Sequence, residues 1–182
     1  INLKPGQFLM TNNTGREGIA NRKPKGITFS CILRAGSDGR ILTIDFAEPK
    51  QSQILCNRRQ NKLMLVAQRS WGEKEATTAT TAIPSKVWIV LAGTFDAQTG
   101  EVQLVSSSGS NEPLVSKRVK GKFKGQVKTG TMRLGFRMAK NGAEHNRFDG
   151  DFASVRLYER AFSEAELIEL VKDRVAFWWS NP

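Results

Sequence analysis

At 182 residues the chain is long enough for one domain with a buried core, and its 39% apolar content is that of a globular protein. No run approaches the roughly 18 apolar residues of a membrane helix, so no membrane-spanning segment is expected. Its 28 Lys and Arg against 17 Asp and Glu leave a charge of +11, which either favours polyanionic partners (acidic glycans, nucleic acid, anionic lipid surfaces) or serves solubility alone.

Residues 1–26 hold one short apolar stretch, Gln7–Met10, then a polar loop with Asn13, Gly15, Gly18 and Pro24 as turn residues. Ile27–Leu33 is rich in β-branched and aromatic residues and ends at the turn Ala35–Gly39; Arg40–Phe46 forms the other arm of that hairpin. Gln53–Cys56 and Lys62–Val66 make a second hairpin. Cys31 and Cys56 both fall in predicted strands; they read as two buried free thiols, or as one bridge if those strands are neighbours. With no CxxC and one histidine, His145, a Cys/His zinc site is not expected. Gln68–Pro84 reads as a long polar loop containing Trp71.

Val87–Phe95 is the most apolar strand and is placed at the centre of a sheet; Glu101–Val105 returns from it. Leu114–Val127 and Thr131–Arg137 follow. In Arg147–Asp173, Phe152, Val155 and Leu157 mark a strand with one bulge. The period then changes. Ser163 and Glu166 have capping-box spacing, Phe162 and Leu167 suit a hydrophobic staple, and Leu167, Ile168, Leu170 and Val171 form one apolar helix face. This helix is expected to lie against a sheet. Phe177, Trp178 and Trp179 end the chain as an extended tail that packs or caps an edge, with at most one indole facing inward. Roughly ten short strands separated by turns, without a βαβ alternation, predict an all-β fold: an antiparallel two-sheet β-sandwich (jelly roll) with one short C-terminal helix. There is no linker or composition break, so residues 1–182 are read as a single domain.

Three of these pieces also resemble a known pattern. Lys86–Gly100 (KVWIVLAGTFDAQTG) resembles the W-x-x-V-A-x-T-F/Y-D…G strand and turn of laminin-G-like jelly-roll domains. Phe148–Phe152 with Val155–Tyr158 resembles their F-x-G-x-I-x-x-V-x-I-Y strand, and Ala161–Leu167 resembles the A-L-S-x-x-E-I helix that follows. The resemblance extends from about Gly26 to Val171 and implies a concanavalin A-like lectin/glucanase fold. That fold hosts lectins, carbohydrate-binding modules, hydrolases, lyases and adhesion domains, so it does not by itself choose a function.

Catalytic patterns fit poorly. The resemblance implies Glu-x-Asp-x-x-Glu for a hydrolase, but Thr43 stands at the nucleophile position before Asp45 and Glu48. A lyase would need His145 and Tyr158 to fill two roles, and the nearest approach to Gln-x-His is Gln53-Ile54-Leu55. No phosphate-binding loop or nucleophile elbow occurs.

Binding candidates are clearer. In Ser116–Lys128, read as a strand, Arg118, Lys120, Lys122, Lys124 and Lys128 fall on one face and Val119, Phe123 and Val127 on the other. That row is a groove for a polyanion, or a solvated face that discourages edge pairing. Arg58 and Arg59 belong to a second basic cluster, and Trp71 is a candidate sugar-stacking platform, or a packing residue. No recognised nucleic-acid reader appears, although so basic a surface is expected to bind polyanions nonspecifically at low salt. The resemblance also implies a possible Ca²⁺ site, for which Asp149, Asp151 and Asp96 are the candidate ligands.

The expectation is therefore a non-catalytic, lectin-like carbohydrate-binding module, for an acidic glycan. It is expected outside the cell or on its surface, and joined to other domains of the same polypeptide, since the chain opens on Ile1 rather than Met. The alternative is a protein-interaction or adhesion domain without sugar specificity; the third reading is an unusual hydrolase or lyase.

Overall fold

The computed structural model of the protein describes residues 2–3, 9–12, 25–48, 53–70, 73–109, 112–122, 128–135, 137–138, 144–145 and 147–180. Two antiparallel sheets face each other. With strands numbered along the chain, sheet A runs β1 (Asn2–Leu3), β15 (Gly150–Tyr158), β3 (Gly26–Ala35), β8 (Trp88–Asp96), β9 (Glu101–Ser107), β10 (Leu114–Val115), with β11 (Val119–Lys120) also paired to β9. Sheet B runs β2 (Leu9–Asn12), β12 (Lys128–Leu134), β4 (Gly39–Glu48), β5 (Gln53–Arg59), β6 (Lys62–Ser70), β7 (Glu73–Ala82). A small ribbon pairs β13 (Arg137–Met138) with β14 (Glu144–His145), and one helix, α1, spans Glu164–Ser180.

Period two explains the layers. From β3, Ile27, Phe29, Cys31 and Leu33 point between the sheets, where they meet Ile44, Ile54, Cys56 and Leu65 of sheet B. Phe29 lies opposite Gly93 of β8, and a Cβ on Gly93 would stand 2.6 Å from the Phe29 ring. A small residue is needed there to seat a large one. The alternate residues of the same strands face the other way. Ile32 of β3, Val90 and Ala92 of β8 and Val105 of β9 pack with Leu167 and Val171 of α1. Sheet A is thus covered on both faces, which is why Val87–Phe95 reads as a continuous apolar run rather than an alternating one. Each fully buried Leu or Val on α1 contributes about 1.5–3 kcal/mol of burial free energy, enough to hold a helix that would be marginal alone.

The corner before α1 is pinned by two buried threonines. Thr28 and Thr94 are cross-strand partners whose hydroxyls lie 2.9 Å apart. The Phe162 N–H donates to both, at 3.1 and 3.0 Å, and the Thr28 hydroxyl donates to the Arg160 carbonyl at 2.8 Å. The capping box follows as predicted: the Ser163 N–H donates to Glu166 at 2.8 Å and the Glu166 N–H to the Ser163 hydroxyl at 3.3 Å. The bond from the Ser163 backbone, and then those from Arg160 and the Ser163 hydroxyl, hold the Glu166 carboxyl below the usual carboxylate range. A depressed pKa adds stability above the unfolded value of about 4.3, and that stability is lost as pH falls through the folded value. The wild-type melting temperature should therefore fall more steeply than that of Glu166→Gln between about pH 5 and about pH 3. The side chain is 41% exposed, so the difference is small, but its sign is fixed. Parallel melting curves would show that the cap does not contribute to acid sensitivity.

Three expectations need correction. The stretch read as a long polar loop contains the end of β6 and all of β7. The inward residues of β7, Ala76, Thr78 and Thr80, are too small and polar to signal a strand. The helix does not stop at Asp173 but continues through Phe177, Trp178 and Trp179, which are therefore not an extended tail. Among the described residues, Ser116–Lys128 is not one strand: only Val119–Lys120, paired with β9 of sheet A, and Lys128, which opens β12 between β2 and β4 of sheet B, are extended. Cys31 and Cys56 are free and buried, as the first of the two thiol readings held.

Candidate functional site

The outer face of sheet B carries a row of joined polar side chains. In β4, Leu42 and Ile44 point into the core, so Thr43 and Asp45 point out. The same alternation puts Gln53 of β5, Gln68 of β6 and Arg133 of β12 on that outer face. Asp45 pairs with Gln53 and Gln53 with Gln68 directly across the strands. The Gln68 amide donates to the Gln53 carbonyl oxygen at 2.9 Å, the Gln53 amide donates to Asp45, and the Arg133 guanidinium forms an ion pair with Asp45. The row thus crosses four strands, Arg133–Asp45–Gln53–Gln68.

Burial grades along it. Gln53 and Gln68 are buried, whereas the side chains of Asp45 and Arg133 keep 23% and 16% of their exposure. Desolvation lowers the Arg133 guanidinium from the ordinary arginine value. Its Nε is buried without a hydrogen-bond partner among the described residues. The part of the guanidinium that reaches solvent is the group on this row able to meet an oxygen anion.

The residues anticipated from sequence do not converge. Arg58 is buried and holds the β5–β6 turn: its guanidinium donates to Asn61 at 2.5 Å and reaches Asp38 at 3.5 Å. Arg59 is exposed beside that turn. Arg118 is bound to Gln103 at 2.6 and 3.0 Å and meets Glu101 at 3.5 Å, so its charge is already engaged. Lys120 and Lys122 are exposed, and Val119 packs on the core as the alternation required. Trp71 and Lys124 lie outside the described residues.

The three carboxylates considered for Ca²⁺ are also divided. Asp96 is the register partner of Gly26 at one end of β3, and its carboxylate accepts the N–H groups of Gln98 and Thr99 at 2.7 and 3.2 Å. Asp151 pairs with Arg34, eight residues along the same strand, roughly 26 Å away at ~3.3 Å per residue. The Asp151 carboxylate already accepts the Arg34 guanidinium at 2.5 and 2.8 Å, so a metal there would have to displace a cation. Among the described residues no three acidic, His or Cys side chains gather closely enough to hold an ion. Asp149 and Asp151 line one cavity, and Asp96 does not join them.

The catalytic sketches fare no better. Asp45, the one carboxylate in the described row, is tied to both neighbours. Tyr158 is spent on Phe162, with rings 5.0 Å apart, and on a hydrogen bond with Arg174. Asp45 and Gln53 each drew attention in sequence, but for separate reactions; Arg133 and Gln68 did not. Only cross-strand register joins the four, and one sequence does not display it.

No family model matches the chain, and no curated protein matches it in sequence. Solved structures do match in shape. The CBM40 module of the Ruminococcus gnavus IT-sialidase, bound to α2,3-sialyllactose, superposes with a TM-score of 0.70 at 17% identity, covering 94% of this chain and 95% of that one. A heptameric SAP-like pentraxin from Limulus polyphemus gives 0.63 at 13% identity, covering 81% and 70%. Domains LG4-5 of the mouse laminin α1 chain give 0.59 at 11% identity, covering 90% of this chain and 42% of that one. At these identities the likeness is one of fold. Together with the sheet order, it shows that the chain has a concanavalin A-like jelly-roll fold.

Proposed function

We propose that the protein is a non-catalytic glycan-binding module, and that it takes an acidic saccharide on the outer face of sheet B with Arg133 as the anion-binding group. The observation that carries this is the Arg133–Asp45–Gln53–Gln68 row: a partly exposed guanidinium, paired with Asp45 at the solvent-reaching end of a hydrogen-bonded chain. The charge of +11 draws anionic ligands toward the molecule before contact. The sialyllactose held by the R. gnavus module carries a carboxylate, the group such a guanidinium recognises. In this reading the protein works outside the cell or at its surface, as one domain of a larger polypeptide.

A glycan array run at low and at physiological salt tests the reading, with Arg133→Gln and the charge-matched double variant Arg133→Gln/Asp45→Asn alongside. Wild type should keep carboxylated glycans at physiological salt, and both variants should lose them at least tenfold. Binding that vanishes at physiological salt would reduce the effect to general electrostatics. An array without ligands, beside capture of a purified protein partner, would move the reading to adhesion.

A further inference from the structure

We infer that the groove between the C-terminal turns of α1 and the entry to β8 is a second saccharide site, one that stacks an uncharged pyranose ring on Trp179 and engages its hydroxyls through Lys86, Arg34 and Asp149. It goes beyond the acidic-glycan reading above and lies on the other side of the sandwich.

The platform is built from two adjacent indoles with different tasks. Trp178 is half-buried and packs on Trp88, ring centroids 5.1 Å apart and tilted by 53°. That contact fixes the last turns of α1 against sheet A. Trp179, one position on, is left 43% exposed on a rigid helix. Together with Lys86, Trp88 and Gly109 they line a groove of about 410 Å³, within the ~300–1,000 Å³ of small-ligand sites. Large rings exposed on a fixed element suit the apolar face of a sugar, which a flexible loop would hold less well.

Lys86 also lines a second cavity, of about 270 Å³, with Arg34, Gly36, Asp149 and Asp151. The two cavities therefore adjoin at Lys86, one aromatic and one polar. Lys86 is held there by its own backbone: its N–H donates to the Ala35 carbonyl at 2.8 Å, and its φ of 61° lies in the left-handed region, which lysine seldom adopts. Arg34 spans both parts, with its guanidinium carbon 5.2 Å from the Trp88 ring centre and its N–H groups on Asp151.

Charge selects the ligand. Arg34 and Lys86 are balanced by Asp149 and Asp151, so the polar cavity is close to neutral and offers both donors and acceptors. A phosphodiester chain would stack its bases on the indole but meet two carboxylates beside it. An apolar peptide would leave the polar cavity unmatched. A neutral sugar, with one apolar face and hydroxyls around its edge, satisfies both halves.

Tryptophan fluorescence of the whole chain, titrated with neutral tetrasaccharides of glucose, galactose and mannose, is the test. At least one should shift the emission, with an affinity unchanged between low and physiological salt, since no net charge is involved. Trp179→Ala should weaken that binding at least tenfold while melting within a few degrees of wild type, because the side chain is exposed. Lys86→Gly, which relieves the left-handed strain, should stay folded and weaken binding several-fold. Arg133→Gln should leave it unchanged, so this site and the sheet B site fail or survive separately. Any of four results would overturn the inference: no response to the whole panel, undiminished binding in Trp179→Ala, a response to single-stranded oligonucleotide in place of sugar, or self-association that Trp179→Ala abolishes and sugar does not affect.

Discussion

Replacing Gly150 by alanine is expected to lower the melting temperature by roughly 10 °C. Gly150 opens β15, opposite Ala35 of β3. A Cβ there would lie 2.2 Å from the Arg34 carbonyl oxygen and 2.8 Å from the Phe148 ring. The first neighbour is backbone of a central strand, and the second is a fully buried ring packed on Phe152 at 5.0 Å. Neither can yield cheaply, so the end of β15 must leave β3, and ladder bonds and core contacts are lost together. A cost of about 3–4 kcal/mol follows, at ~2–4 °C per kcal/mol for a chain of this size. Gly36→Ala is the control. The nearest atom to its Cβ is the mobile carboxylate tip of Asp149, at 2.8 Å, which can swing away. Thermal melts by circular dichroism should separate the two variants clearly. Equal melting temperatures would show that β15 tolerates displacement, and the tight packing described around Phe148 would be wrong.

The two thiols should be silent toward thiol reagents in the folded protein, at least ~10³-fold slower than in the unfolded chain. Cys31 points inward from the centre of sheet A and Cys56 inward from sheet B. Both are fully buried. The reagent attacks the thiolate, and burial pushes the Cys31 thiol up to about 12 and the Cys56 thiol up as well, so each is protonated at neutral pH even before access is considered. Reaction then requires the sheets to separate, and the protection measures something near global stability. Ellman's reagent should find no thiol in native protein and two in concentrated guanidinium. One reactive native thiol would place a strand at the surface. None in denaturant would mean a disulfide.

Most of the sandwich was written in local chemistry. Ile27–Leu33, Val87–Phe95 and the Ser163–Glu166 box announce themselves because burial on two faces demands apolar runs and an unpaired helix end demands a cap. Gly150 is legible too, although the sequence cannot say that the Arg34 carbonyl is what it makes room for. β7 was hidden because an edge strand can face the core with alanine and threonine. The end of α1 was hidden because two adjacent tryptophans look alike in a string of letters, and only packing on Trp88 tells Trp178 from Trp179. The basic run misled for a related reason. Arg118 counts as a charge in sequence, yet Gln103 and Glu101 have already claimed it. The sheet B row needed register, which joins residues as far apart as Asp45 and Arg133.

The helix that seals sheet A also gives the molecule two unlike sides. Its polar row looks out from one, its indoles from the other, with two sheets about 10 Å apart between them. One saccharide cannot lie across both. Were both proposed sites to bind, the protein would be bivalent, holding an acidic and a neutral saccharide back to back. On a matrix displaying both, its retention would exceed either affinity measured alone, and soluble ligand of one kind would not release it. On that reading the covering helix does more than complete a core, since its place on sheet A would make the molecule a bridge between adjacent glycans.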